Sequence, residues 1–175
     1  VDGGEFTMSG GTIEGNTSSG ENYGEGGGVY INGGTFTMTG GSITKNISRN
    51  AGGGVCVWNS ANFDMNGGTI SDNSGVNGGG VYVYNSTFTM KNGTISGNSA
   101  DDSNGGDGNG GGVYANGSCT FTMSGNAVIS GNTAESGGGG VHVVYTRGKF
   151  TMSGDAVISG NTANGSGGGV CVTDG

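Results

Sequence analysis

Apolar and polar positions alternate along this chain in short bursts, and the bursts return in one fixed order. A Phe-x-Met triplet comes first, at Phe6/Met8, Phe36/Met38, Phe63/Met65, Phe88/Met90, Phe121/Met123 and Phe150/Met152, and these account for all six phenylalanines and all six methionines. Seven or eight residues after each Phe stands an Ile, and three residues after that an Asn. A glycine run then closes on a second alternating stretch, Val29/Ile31, Val55/Val57, Val81/Val83, Val113/Ala115, Val141/Val143 and Val170/Val172. A period of two belongs to a strand with one buried face. Each repeat therefore predicts three strand-like pieces, with Phe and Met turned inward as core rungs and the intervening residue, mostly Thr, turned outward.

One repeat supplies about five inward side chains, too little apolar burial to offset the ordering of its own backbone. Stacking removes the deficit, because like residues of successive repeats fall above one another and the backbone groups pair between them. The expected fold is all-β, a parallel β-helix (β-solenoid) of about six three-sided coils, forming a single domain over residues 1–175. Phe-to-Phe spacings of 30, 27, 25, 33 and 29 residues correspond to one coil per repeat of 25–33 residues. Asn to Val varies from 8 to 15 residues while the other spacings hold, so insertions are expected at one corner. Recognition would reside there, above all in Thr17 to Gly28 and Ser99 to Gly112. Asn16, Asn46, Asn73, Asn98, Asn132 and Asn161 fall at another corner, where Asn tolerates the left-handed conformation of a sharp bend and its amides can stack into a structural asparagine ladder.

Composition narrows the classes. There are 46 glycines and no proline, but the glycines do not recur every third residue, which excludes collagen, and the scheduled apolar residues exclude a flexible linker. A formal charge of −8 with no basic patch argues against nucleic acid or anionic lipid as partners. No apolar stretch is long enough to insert in a membrane as a helix. Three cysteines, Cys56, Cys119 and Cys171, make neither a disulfide framework nor a zinc motif. The Gly, Asn, Ser and Thr content suits an extracellular surface. The chain opens on Val1 and reads as a mature product or an excised piece, uncapped at both ends; joining its tail to the head of another copy would place the next Phe 31 residues after Phe150.

The Gly-Val elements at Gly28-Val29, Gly54-Val55, Gly80-Val81, Gly112-Val113, Gly140-Val141 and Gly169-Val170, with Ile-x-x-Asn between them, resemble the Gly-Gly-aliphatic and Phe-x-x-Asn repeats of bacterial surface proteins of the polymorphic outer-membrane protein and autotransporter-adhesin type. That resemblance implies a right-handed parallel β-helix, secreted or displayed on a bacterial surface, with an adhesive or structural role.

Candidate chemistry is sparse. The outward residues between Phe and Met are Thr7, Thr37, Asp64, Thr89, Thr122 and Thr151, a single acid where acid/base catalysis needs a positioned pair. No enzyme and no cofactor is expected. Asp101, Asp102 and Asp107 lie among Gly and Asn in one loop and offer the hard oxygen ligands of a calcium site, although Gly110 stands where the calcium-binding nonapeptide repeat has its Asp. Thr-x-Thr pairs resemble those of ice-binding solenoids, but Glu5, Asn62, Asp64 and Lys149 interrupt them. Tyr30, Cys56, Tyr82, Tyr114, His142 and Cys171 share an outward slot on the valine strands and are expected as exposed surface rungs. The functional expectation is a structural solenoid whose rods stack head to tail on themselves into a filament, or a segment of a longer surface adhesin; the alternative is an adhesin or carbohydrate-binding module that uses the variable loops to meet glycans or a host surface.

Overall fold

In the computed structural model, which describes residues 2–20, 25–101, 105–145 and 148–174, the repeats stack in register as a parallel β-solenoid of three sheets, each with six rungs. The first sheet carries the Phe-x-Met strands: Glu5–Glu14, Thr35–Thr44, Asn62–Ser71, Thr87–Ser96, then Thr120–Met123 with Val128–Ser130, and Lys149–Met152 with Val157–Ser159. The second is built from short strands, Thr17–Ser18, Ile47–Ala51, Ser74–Asn77, Ser99–Ala100, Thr133–Ala134 and Thr162–Ala163. The third carries the valine strands, Val29–Asn32, Val55–Trp58, Val81–Tyr84, Val113–Gly117, Val141–Tyr145 and Val170–Asp174. Among the described residues no helix is long and apolar enough to cross a membrane.

The three sides are not the three pieces that the hydrophobic pattern suggests. The Phe and Ile pieces share one sheet, and in four rungs they are one continuous strand of 10 residues. The remaining side is formed by the residues just after the Asn, which carry too few apolar side chains to register as a strand.

A glycine with left-handed backbone lets the long strand pass from Met to Ile through an irregularity in register: Gly41 has φ +85°, Gly68 φ +85° and Gly93 φ +96°. A Cβ on Gly41 would lie 2.7 Å from Met8 Cε of the preceding rung, one on Gly68 2.6 Å from Met38 Cε, and one on Gly93 2.8 Å from Met65 Cε. Met8, Met38 and Met65 thus each cover the bare backbone of the next rung's glycine, and the two residue types are coupled in space as well as in sequence. Met90 has no such glycine above it. In the last two rungs one extra residue separates Phe from Ile, the strand divides, and Gly125 instead packs against the Lys91 backbone.

Rung upon rung, like side chains meet. Phe36 pairs with Phe63 and Phe63 with Phe88 in register, as do the Met and Ile columns. The Phe rings stack at centroid separations of 4.7 to 4.9 Å, the spacing of parallel strands. Phe36, Phe63, Phe88 and Phe121 are fully buried, whereas Phe6 and Phe150 on the first and last rungs are partly buried. The Met column follows the same course: Met8 is buried, Met38, Met65, Met90 and Met123 have no exposed surface, and Met152 is 43% exposed. Met152 is in register with Met123 and points the same way, on the last described rung. Val157, Val170 and Val172 on the same last rung are exposed too, Val172 at 54%.

The glycine run before each valine strand has a separate task at each position. In the fourth rung, Gly110 makes the turn at φ +67°. A Cβ on Gly111 would strike the backbone oxygens of Thr133 and of Gly139, the latter at 2.6 Å, and one on Gly112 would crowd Ile129 Cγ2 at 2.9 Å and Asn132 Nδ2 at 3.1 Å. Two sheets approach so closely at this corner that no side chain fits between them.

Candidate functional site: an aromatic groove outside the solenoid

Two polar or aromatic columns follow the solenoid, one inside a corner and one outside a sheet. The inner column consists of the six corner asparagines. Asn73 Nδ2 donates to Asn98 Oδ1 at 2.9 Å and to the Ile43 carbonyl of the preceding rung at 3.0 Å. Asn98 Oδ1 also accepts the Asn73 backbone N–H at 3.0 Å. The same arrangement links Asn46 to Asn73, Asn98 to Asn132 and Asn132 to Asn161. In the interior rungs the amide's two hydrogens and its oxygen are all used, which is why Asn46, Asn73, Asn98 and Asn132 can be buried. Only an amide of this length offers both donors and acceptor; an Asp would lose both N–H bonds.

The asparagines do not themselves adopt the left-handed bend. The residue before each one does: Gly15, Lys45, Asp72, Gly97, Gly131 and Gly160 have φ between +54° and +68°. The reason is that the Asn side chain must point inward to join the column, so the turn falls to its exposed neighbour.

The outer column corrects the expectation of exposed surface rungs. Cys56, Tyr82, Tyr114, His142 and Cys171 are all buried, and only Tyr30 is half-buried. Ala51 at the end of a short strand, and Asn109 and Gly137 between short and valine strands, lie over this face. Ala51, Cys56, Tyr82 and Tyr114 form a second apolar cluster, flanked by Tyr30, Trp58, Tyr84 and Val144. His142 is held at both nitrogens, Nδ1 by Asn109 Oδ1 at 2.9 Å and Nε2 by Thr173 Oγ1 at 3.1 Å. Asn109 Oδ1 also accepts the Gly137 N–H at 3.0 Å, so it faces the ring as an acceptor and Nδ1 carries the proton, leaving Nε2 to accept from Thr173. Tyr114 meets the imidazole edge-on at 5.4 Å.

Burial sets the electrostatics of this layer. It pushes the Cys56 thiol and the Tyr82 hydroxyl well above their ordinary values, and Tyr114, with a further push from the Asp107 carboxylate, up to about 12. It lowers His142, against the opposing pull of the Gly137 backbone and Asp107. All three cysteines are free and buried; burial raises the thiols of Cys56 and Cys119, which makes these two poor nucleophiles and poor ligands.

The layer is not sealed. A groove of about 670 Å³ opens across the second to fourth rungs, with Trp58, Tyr82, Tyr84 and Tyr114 along its floor. Arg49, Asn77 and Asp107 complete the lining, with the Asp107 segment lying against Val76 and Asn77 through Gly106 and Asn109, and Asn116 continues the floor. Trp58 and Tyr84 stack at 4.2 Å and 20°. They occupy a second outward position two residues beyond the Tyr/Cys row, where the register runs Asn32, Trp58, Tyr84, Asn116. This row is absent from the expectations drawn from the sequence, although its signal is there: the only Trp of the chain stands two residues after an outward Cys in a strict period-two strand.

The other residues singled out in the sequence lie apart from this groove. The triplet side chains from Met8 to Met123, Met65 and Met90 among them, are shut in the separate core inside the solenoid, so their part is structural, and no triplet residue reaches the groove lining. Of the proposed calcium ligands, Asp102 lies outside the described residues. Asp101 accepts a hydrogen bond from Ser74 Oγ at 3.0 Å, and Asp107 lines the groove. Among the described residues no three His, Cys, Asp or Glu side chains gather to hold an ion. On the Phe-x-Met face, Asp64 remains the one acid in its row of threonines.

A three-sided parallel solenoid with an inward asparagine column and a loop-covered outer face defines a β-helix repeat protein. The family model of the Chlamydia polymorphic membrane protein repeat matches residues 155–173, a stretch that holds Ile158, Asn161 and Gly169-Val170 and so one full copy of the corner, glycine and valine elements. With the solenoid, this match makes the chain a β-helix repeat protein resembling the polymorphic-membrane-protein type of bacterial surface protein. No curated protein and no solved structure matches the chain.

Proposed function

We propose that this chain is a non-catalytic structural element of a bacterial cell surface, a stiff rod that lengthens by stacking head to tail on further copies of itself. The observation that carries the reading is the likeness of successive rungs. Phe36, Phe63, Phe88 and Phe121 are each sealed between copies of themselves in register. A rung of the same pattern is therefore a matching cover for any other, because the inward residues, the Asn column and the glycine corner all recur from rung to rung. Contacts of this heterologous, non-closing kind generate open filaments. The repeat match supports a place at the bacterial surface, and adhesion through the loops is compatible with such a rod.

Electron microscopy of the purified 175-residue chain tests the assembly. The expected result is thin filaments that lengthen with concentration. The double variant Val170→Lys, Val172→Lys sets two charges on the open rung and should leave short particles with the strand signal of the parent by circular dichroism. Monodisperse short particles from the unaltered chain at every concentration sink the proposal.

A further inference from the structure

The groove over the valine sheet has a shape and a chemistry of its own, and it stands whether or not rods stack. Its volume falls within the range of small-molecule and oligosaccharide sites. Its described lining balances one cation, Arg49, against one anion, Asp107, in a chain whose formal charge is −8. An anionic ligand would approach against the field of the whole molecule, and a cationic one would find only a single carboxylate among amides and rings.

The aromatic geometry narrows the choice further. Trp58 and Tyr84 spend one face of each ring on the other, at 4.2 Å. Their outer neighbours in register are Asn32 and Asn116, amides and not rings. The pair is therefore a two-ring stack flanked by side-chain amides, with Tyr82 and Tyr114 beside it at 5.4 Å from each other. Ring surface alternating with amide donors and acceptors suits a ligand that alternates C–H faces with hydroxyl groups. A flat aromatic molecule would need both faces of a ring for a continuous stack, and Trp58 and Tyr84 each have one face taken by the other.

We infer that the groove bounded by Arg49, Trp58, Tyr84, Asp107 and Asn116 is a binding site for a neutral oligosaccharide lying along the solenoid axis. Successive rungs then present one ring or amide to each successive sugar, as the strand spacing of parallel sheets repeats on the scale of a pyranose unit. This relocates recognition from the tips of the variable loops to the floor that they frame.

Trp58 is the only tryptophan and reports directly on the site. Fluorescence titration with cellotetraose, maltotetraose, xylotetraose, mannotetraose and N-acetylchitotetraose should give a saturable shift for at least one of them below about 10 mM. That range is usual for a single shallow site. Asn116→Ala, which removes no ring although it takes away a hydrogen bond to the Tyr82 hydroxyl, should weaken that sugar roughly tenfold by the same titration, with the thermal transition retained. Trp58→Ala, followed by saturation-transfer NMR, should abolish it, while Asp64→Asn on the Phe-x-Met face should change nothing. No response to any of the five sugars overturns the inference, as does binding that survives Trp58→Ala or weakens equally with Asp64→Asn. Tighter binding of a proline-rich peptide than of any sugar would make the groove a peptide site and overturn it equally. Running the titration on the Val170→Lys, Val172→Lys chain keeps failure of stacking distinct from failure of binding.

Discussion

The inside of the solenoid and the layer outside its valine sheet are built from the same strands, yet they obey different rules. Inside, Phe faces Phe with interplanar angles of 4° to 8° across the first five rungs, and no position of the Phe column carries a second residue type. Outside, the corresponding column runs Tyr, Cys, Tyr, Tyr, His, Cys, with ring angles from 33° between tyrosines to 90° at His142. Both are largely buried. The difference lies in what buries them: inside, each residue is covered by its own copy one rung away, so identity is enforced, whereas outside the covering chain differs in sequence and, above all in two rungs, in length, and the residue beneath it is free to differ. Repetition holds the fold, and variation is confined to where the covering chain can be tailored.

The comparison can be broken most severely at the glycine corner. Gly111→Val drives a side chain into the Thr133 and Gly139 backbone oxygens and should cost more than about 4 kcal/mol, read as loss of the cooperative thermal transition. A folded variant with an unchanged transition would mean that the rungs are less tightly stacked than the corner implies. Next in size, Phe88→Ala opens a cavity flanked by two identical rings and should cost about 3–5 kcal/mol by urea denaturation. Tyr114→Ala, almost as deep at 6% exposure but beside the groove, should cost about 2 kcal/mol. Equal losses at the two positions would erase the distinction between layers.

A smaller effect distinguishes the outer layer by pH. Burial lowers the His142 pKa from its ordinary 6.5, so the unfolded chain takes up the proton first. Its contribution is fully present above the unfolded value, where both states are neutral, and is lost as pH falls from there toward the folded value. The Phe, Met and Ile columns have no such dependence. Urea midpoints at about pH 8 and about pH 5 should therefore differ less in His142→Gln than in the parent; an unchanged difference would show that the imidazole does not titrate on unfolding. The smallest effect belongs to the exposed bend. Lys45, at φ +54° where four of the other five rungs place glycine and one places Asp72, should accept Lys45→Gly within about 1 kcal/mol, because the strain relieved offsets the added chain entropy; a larger loss in the same urea assay would mean the bend is unstrained. Its exposed contact with Glu14 at 2.8 Å adds little in water.

These rules also decide what the amino-acid pattern could reveal. The Phe, Met and Ile columns, the Asn corner and the parallel stacking were legible because each repeats at every rung, and six copies leave little room for another register. The short second sheet was not, because strands such as Ser99–Ala100 and Thr133–Ala134 bring one small apolar residue apiece and are held by backbone pairing. The seating of Met8, Met38 and Met65 over glycines of the next rung was half visible: both residue types recur, but only the bulge brings them together. The burial of Cys56 and Tyr82 and the stacking of Trp58 on Tyr84 were hidden for a different reason. They depend on loops whose lengths are visible in the sequence but whose return path across the sheet is not. The candidate groove inherits that opacity: its residues come from three rungs and one insertion, so no contiguous motif spells it.

The asparagine column has a direction. The amide-to-amide bonds all run one way: from Asn16 to Asn132 each amide gives one N–H to the Oδ1 of the following rung, and from Asn46 onward each accepts from the one before, so the amide dipoles add along the axis and polarise one another. The rod thus carries a vector, with carbonyl oxygens turned to one pole and N–H groups to the other. Two such columns can be spliced only in series. Inverting one partner would set oxygen against oxygen or hydrogen against hydrogen at the seam, so a growing chain of these units would have chemically distinct ends and, in principle, one end that adds faster than the other.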